Sequence, residues 1–145
     1  MVRRLELADM DGAARVLRTS FDQALPSLVG LHTPEEDRWF FRERVFNTCE
    51  VWGAFEGAAM VGVLAFRKDW IDQLYLLPNA QGQGIGTELL QVAQNAFGCL
   101  QLWTFQRNVK ARRFYEARGF ALVEQTDGAR NEEKEPDARY LWTRG

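Results

Sequence analysis

One histidine and two cysteines are all that this chain of 145 residues offers to a soft or borderline metal. With His32 alone, a histidine-based zinc site is excluded, and Cys49 and Cys99 stand at no metal-ligand spacing. Two cysteines do not make a disulfide framework either, so a reduced, cytoplasmic protein is expected, monomeric or homodimeric. Charge of neither sign dominates: Lys and Arg number 18 against 20 Asp and Glu, a net −2. That balance argues against nucleic acid or an anionic membrane as partner. No apolar run approaches the roughly 20 residues that cross a bilayer. Met1-Val2-Arg3-Arg4 leads into a strand-like segment rather than a signal peptide. What remains is an ordinary globular composition, expected to form a single domain over residues 1–145 with a core of its own.

The most informative stretch is Gln81-Gly82-Gln83-Gly84-Ile85-Gly86. It follows the apolar run Ile71 to Leu77 and the turn Pro78-Asn79, and it precedes an amphipathic stretch from Thr87. The order reads strand, turn, glycine-rich loop, helix. A helix N-terminus carries unpaired N–H groups and a partial positive charge, and glycines remove the Cβ atoms that keep an anion off the backbone. A phosphorylated ligand is therefore expected. The dinucleotide-binding fingerprint G-x-G-x-x-G fails, because the third glycine falls at Thr87, and the phosphate loop of nucleotide hydrolases fails because no lysine is near.

Periodicity supplies the remaining elements. Val2 to Leu7 reads as a strand, and Asp9 or Asp11 caps a helix to about Phe21. Thr33-Pro34-Glu35-Glu36 is a helix start with its cap, its first-position proline and its acidic first turn. Glu50–Phe55 and Ala59–Arg67 read as a hairpin across Glu56-Gly57. Leu100–Phe105 is a strand, Asn108–Arg118 a helix closed by Gly119, and Phe120–Thr126 and Arg139–Thr143 the last strands. The polar segment from Asp127 to Ala138 joins them. Trp39, Trp52, Trp70 and Trp103 are expected mainly in the core, with one or two walling a pocket.

The glycine loop matches the Q/R-x-x-G-x-G/A loop of the GCN5-related N-acetyltransferases (GNAT family), and its flanks agree. Leu74-Tyr75-Leu76-Leu77-Pro78 precedes it, Leu89-Leu90 follows, and Asn108 and Phe114-Tyr115-Glu116-Ala117-Arg118-Gly119-Phe120 lie further on. The chain resembles that family from about Val51 to Val123. The resemblance implies an α/β fold with a mixed, mostly antiparallel sheet and helices on both faces. It also implies a V-shaped splay between the fourth and fifth strands that holds the pantetheine arm of acetyl-CoA.

The function so implied is acetyl transfer from acetyl-CoA, as co-substrate, to a primary amine of a small molecule or an exposed protein amine. The backbone of Gln81, Gly82, Gln83, Gly84, Ile85, Gly86 and Thr87 would hold the pyrophosphate, with the two glutamine side chains secondary. Leu74 and Leu76 would pair with the pantetheine amides, the Leu76 N–H also polarising the thioester carbonyl. Asn108 would contact the pantetheine or the departing sulfur as well as capping its helix. Tyr115 matches the acid that protonates the leaving thiolate. Where histone-type members carry a glutamate, this chain has Trp70. Asp72 and His32 are left as candidate bases, and Glu132, Glu133 and Asp137 as carboxylates that attract a cationic acceptor. The other reading is a non-catalytic acyl-CoA-binding regulator of the same fold.

Overall fold

β3 (Ala59–Arg67) is apolar on both faces, and every residue between its two ends is buried. Such a strand can only be central. A computed structural model describes residues 1–145 and places β3 between β2 (Glu50–Glu56) and β4 (Trp70–Leu76), antiparallel to both. The full sheet adds β1 (Val2–Arg4), β5 (Cys99–Phe105), β6 (Ala121–Thr126) and β7 (Asp137–Thr143), in the order β1-β2-β3-β4-β5-β7-β6. Only the β4–β5 junction is parallel.

Each face of the sheet is covered by helices. On one side α1 (Met10–Ala24) lays Met10, Ala13, Ala14, Val16 and Leu17 against Val51, Met60, Val63 and Ala65. Beside it lie α2 (Pro34–Phe40), a π-helical turn over Phe41–Val45 and the short α3 (Phe46–Thr48). On the other side α4 (Ile85–Ala96) packs Leu89, Leu90 and Ala93 on Leu64, Phe66, Leu100 and Leu102, next to α5 (Val109–Glu116). This is the mixed α/β architecture expected from the sequence. No helix is long and apolar enough to cross a membrane.

Local chemistry explains the boundaries. Thr33 and Glu36 form a reciprocal capping box, with Glu36 N–H donating to Thr33 Oγ1 at 3.1 Å and Thr33 N–H to Glu36 Oε1 at 2.8 Å. Asn108 Oδ1 accepts from Ala111 N–H at 3.2 Å, and Gly119 ends that helix with φ +89°. The first strand stops at Arg4, short of Leu7. The Asp9 carboxylate takes the Glu6 N–H at 2.8 Å and pairs with Arg3 at 3.1 Å, closing a 3-10 turn over Leu7–Asp9 instead of capping α1 through its side chain. Trp39, 54% exposed under the Arg44 guanidinium, departs from the expected core position, and Trp103, 42% exposed, is the tryptophan that walls a pocket.

One clasp fixes α1 to α2. Arg18 donates to both oxygens of Asp37, at 2.8 and 2.9 Å, and Asp37 is buried. Removing one partner of such a pair leaves a charge with little solvent, although Asp22 still meets Arg18 at 3.0 Å. Asp37→Ala is expected to lower unfolding free energy by roughly 3 kcal/mol in urea titration; a loss under about 0.5 kcal/mol would make the pair no better than a surface contact.

Candidate active site

β4 and β5 start together and then part. Their only paired Cα positions are Trp70 and Gln101, tied by Gln101 N–H to Asp69 O at 2.8 Å. Beyond that point β5 pairs with β7 alone on its other side, over its whole length. The far half of β4 is thus an open strand edge. Antiparallel pairing alternates direction: Leu77 N–H goes to Val61 O at 2.8 Å, so the N–H groups of Leu74 and Leu76 face the opening. The Leu76 carbonyl faces the same way and is already satisfied, by the buried Ser20 hydroxyl at 2.7 Å and by Gln81 Nε2 at 3.2 Å.

The glycine loop continues from this edge. Gly82 and Gly84 hold φ of +79° and +84°, and Gly84 is the residue on which α4 starts, with no side-chain cap. The first intrahelical bond is Glu88 N–H to Gly84 O at 3.1 Å, which leaves the N–H groups of Ile85, Gly86 and Thr87 without helical partners. A Cβ at Gly82 or Gly84 would meet nothing within 4 Å, so the space above them is open. Gly86 serves a different purpose: its Cβ would lie 3.0 Å from the Phe114 ring and 3.2 Å from Leu76, so it lets α4 sit against α5.

The glutamines do more than the sequence suggested. Gln81 links Leu76 O to Lys110 Nζ, which donates to its Oε1, and Gln83 Nε2 donates to Asn79 O at 3.0 Å. Both side chains shape the loop. Gln81 brings α5 with it, through Lys110, and Arg118, just past the end of α5, donates to Thr87 Oγ1 at 2.9 Å while stacking on Phe114 at 3.8 Å. The sequence reading missed both cations. Their only signal was a position on the helix after Asn108.

Tyr115 lies on α5 with its ring against Phe114, Phe120 and Tyr140, and is 8% exposed. Its hydroxyl bonds to no protein group, yet no buried side-chain oxygen of the molecule lacks a partner, so that oxygen opens to solvent. Burial first, and then the nearby Tyr75 hydroxyl, push its pKa well above the ordinary value. Tyr75, on β4, is pushed up to about 12 by burial and secondly by the charge of Glu133. Tyr75 therefore stands within electrostatic reach of both Tyr115 and Glu133.

The acceptor-side candidates separate. A cavity of about 350 Å³ is lined by Trp103, Thr104, Phe105, Asn131, Glu133 and Asp137. Asp137, the first residue of β7 rather than a loop residue, is held by Thr126 Oγ1 and by Asn131 Nδ2 at 3.2 Å. Glu132 meets His32 Nε2 at 3.1 Å, and His32 Nδ1 lies 3.9 Å from Glu36. Asp72 is the extra residue of a β-bulge, between Ile71 opposite Phe66 and Gln73 opposite Ala65. It accepts from Arg67 Nε at 2.7 Å and from the Cys49 thiol at 3.3 Å, beside a second hollow formed with Phe40, Arg44 and Thr48. Desolvation, with Asp72 adding to it, pushes that thiol up to about 11. The two candidate bases thus line different places, and each is engaged with a charged neighbour.

Residues 15–120 match the family model described as the acetyltransferase (GNAT) family. Among curated proteins, a probable N-acetyltransferase of Mycobacterium tuberculosis is 34% identical over 85 residues, covering 52% of this chain and 49% of that protein. The peptidyl-lysine N-acetyltransferase YiaC of Escherichia coli is 27% identical over 84 residues, covering 57% of this chain and 58% of its own. The chain therefore spans about half the length of these relatives. Among solved structures, the apo form of YjaB from Escherichia coli superposes with a TM-score of 0.82 at 19% identity, covering 98% of this chain and 96% of that one. PaiA N-acetyltransferase of Thermoplasma acidophilum, in complex with coenzyme A, gives 0.74 at 20% identity, covering 99% and 98%.

Gly84→Val would force a β-branched residue into a left-handed conformation and place methyl groups in the open space above the loop. Affinity for coenzyme A, by calorimetry, is expected to fall at least tenfold, on the order of 1.4 kcal/mol. Unchanged affinity in a folded variant would remove the loop from the binding site.

Proposed function

The chain belongs to the acetyltransferase (GNAT) family, and we propose that it moves an acetyl group from acetyl-CoA directly to a primary amine. The single observation that carries this reading is the open β4 edge running into an N–H-lined glycine loop. A phosphate at Gly82–Thr87 meets unpaired helix N–H groups with no Cβ in the way, and Lys110 adds a positive charge. A pantetheine arm has the amide spacing of a peptide and can take the unpaired N–H groups of Leu74 and Leu76 as an added strand. Because the Leu76 carbonyl is occupied by Ser20 and Gln81, the arm's own N–H donors are left to Leu74 O.

Tyr115 is the group for the departing sulfur. An alkyl thiol has a pKa of about 8.5, and a tyrosine held well above its usual value keeps its proton against such a thiolate at equilibrium. Tyr115 therefore acts by donating a hydrogen bond to the charge that builds on sulfur, rather than by surrendering the proton outright. The Leu76 N–H donates to the developing oxyanion. Asn108 stays in its capping role at the start of α5, and would also contact the pantetheine or the departing sulfur.

The acceptor is a small-molecule amine or an exposed protein amine. Glu132 and Glu133 of the β6–β7 connection, with Asp137 at the start of β7, favour a cation there. The name of the Escherichia coli relative, a peptidyl-lysine N-acetyltransferase, supports lysine side chains as one acceptor class to try. A non-catalytic acyl-CoA binder draws its support from Trp70, which replaces the family's glutamate, and from the engagement of Asp72 with Arg67. Release of free coenzyme A thiol from acetyl-CoA across an amine panel tests the choice: binding without release for any amine supports the binder.

Tyr115→Phe removes only the hydroxyl. The expected result is unchanged acetyl-CoA affinity with kcat lower by a factor of roughly 10²–10³, the worth of one positioned donor. The direction of the Tyr115 shift also has a pH consequence. Its proton is retained to beyond pH 10.0, the ordinary tyrosine value, so kcat of the wild type should show no loss from this group below that pH. A wild-type rate in the variant would assign the leaving group to water.

A further inference from the structure

The acids of the β6–β7 connection differ in what holds them, and that difference singles out one. Glu132 is paired with His32. Glu135 is buried and meets Arg107 at 3.1 Å. Asp137 is held by Thr126 and Asn131. Glu133 has no hydrogen bond or ion pair, is only partly exposed, and lines the 350 Å³ cavity. Thr104, Asn131 and Asp137 add polar lining, and the apolar walls are two aromatics: Trp103, which leaves 42% of its surface uncovered, and Phe105, which is packed edge-on against Phe21 of α1 at 6.0 Å. Both aromatics belong to the half of β5 that has left β4.

We propose that Glu133 receives the ammonium group of the acceptor and removes its proton, while Trp103 and Phe105 wall the rest of that molecule, a primary amine on a flat apolar body. This rests on the acetyl-transfer reading above. The splay gives the site its direction: Trp103 and Phe105 stand on the part of β5 that has parted from β4, whose free edge carries Leu74, Tyr75 and Leu76, and the charge of Glu133 reaches Tyr75. Several charged groups face this region: Arg139 stands opposite Trp103 and is taken by Glu124 and Gln101, and Arg107 is paired with Glu135. Arg18 of α1 also acts on Tyr75, Asp137 shares the cavity, and Lys134 is turned away to Ala129 O at 2.9 Å.

The step balances as follows. The ammonium gives one proton to the Glu133 carboxylate as its nitrogen pair forms the C–N bond to the thioester carbon. The C–S bond breaks with its electron pair on sulfur. The second nitrogen proton goes to that sulfur, held by the Tyr115 hydrogen bond, and the first passes from Glu133 to water.

The test compares wild type with Glu133→Gln, Glu133→Asp and Trp103→Ala, using acetyl-CoA with 2-phenylethylamine and with ethylamine as probes, from pH 7 to 9.5. At pH 7, Glu133→Gln should lower kcat on the order of 10²-fold or more, the usual worth of a positioned base. The deficit should shrink as pH rises, because more of the amine is already neutral. Glu133→Asp should recover part of the rate. Trp103→Ala should raise KM for 2-phenylethylamine and leave ethylamine alone. Acetyl-CoA affinity and melting temperature should match the wild type in all three. An unchanged kcat in Glu133→Gln, or a deficit that is the same at every pH, would overturn the base. A wild type that binds acetyl-CoA and acetylates neither amine would overturn the acceptor class. A wild type that fails to bind acetyl-CoA would instead overturn the acetyl-transfer reading itself.

Discussion

The Leu76 carbonyl is the small interaction on which the site depends. In an unbroken sheet it would accept from a neighbouring strand, and β4 and β5 would close along their length. Here Ser20 and Gln81 take it from two directions, one from α1 and one from the glycine loop. A buried carbonyl without a partner is costly, on the order of 1–3 kcal/mol. With both donors in place the edge stays open at no such cost, and the donors of Leu74 and Leu76 are left for a guest. The same two bonds tie α1, β4 and the loop together, so the open edge and the glycine loop proposed to hold the arm and the phosphate are fixed by one cluster.

A second set of contacts ties the loops around the acceptor side. Arg107, just before α5, donates to Ser27 Oγ at 2.6 Å and pairs with Glu135. His32 crosses to Glu132. The α1–α2 connection, the β5–α5 turn and the β6–β7 connection are thereby locked to one another, and the cavity is bounded by preorganised walls. Preorganisation matters because a direct transfer needs nitrogen and thioester carbon within near-attack distance without ordering the loops in the same step.

Local signals were legible in the sequence, and long-range ones were not. The capping box at Thr33 and Glu36, the Asn108 cap and the left-handed glycines are decided within four residues, and each stands where the spacing put it. The splay followed from the family resemblance. What escaped was set by packing between distant segments. Ser20 reads as one more polar residue of α1 until α1 meets the end of β4. Lys110 reads as surface charge until Gln81 reaches it. Trp39 misled because hydrophobicity alone does not say which aromatic is covered, and it is left 54% exposed, whereas Trp103 walls a cavity. Glu132, Glu133 and Asp137 looked equivalent in the sequence, although Glu132 is held by His32 and Asp137 by Thr126 and Asn131.

A nearly neutral chain can nonetheless present two ends of opposite charge. At the loop end, the helix N–H groups and Lys110 present positive potential to an anion, with Arg118 buttressing Thr87. At the cavity end, Glu133 and Asp137 present negative potential to an amine. The net −2 sums these ends and conceals them. Between them runs an apolar stretch of β4 and the rings of Tyr75, Tyr115 and Phe114, in which neither field is screened as it would be in water. The separation has a chemical use. On the acetyl-transfer reading proposed above, a pyrophosphate would stay at its own end, away from the carboxylate offered to an ammonium, and a thioester would lie where the two fields meet: a nitrogen losing positive charge on one side, a sulfur gaining negative charge on the other.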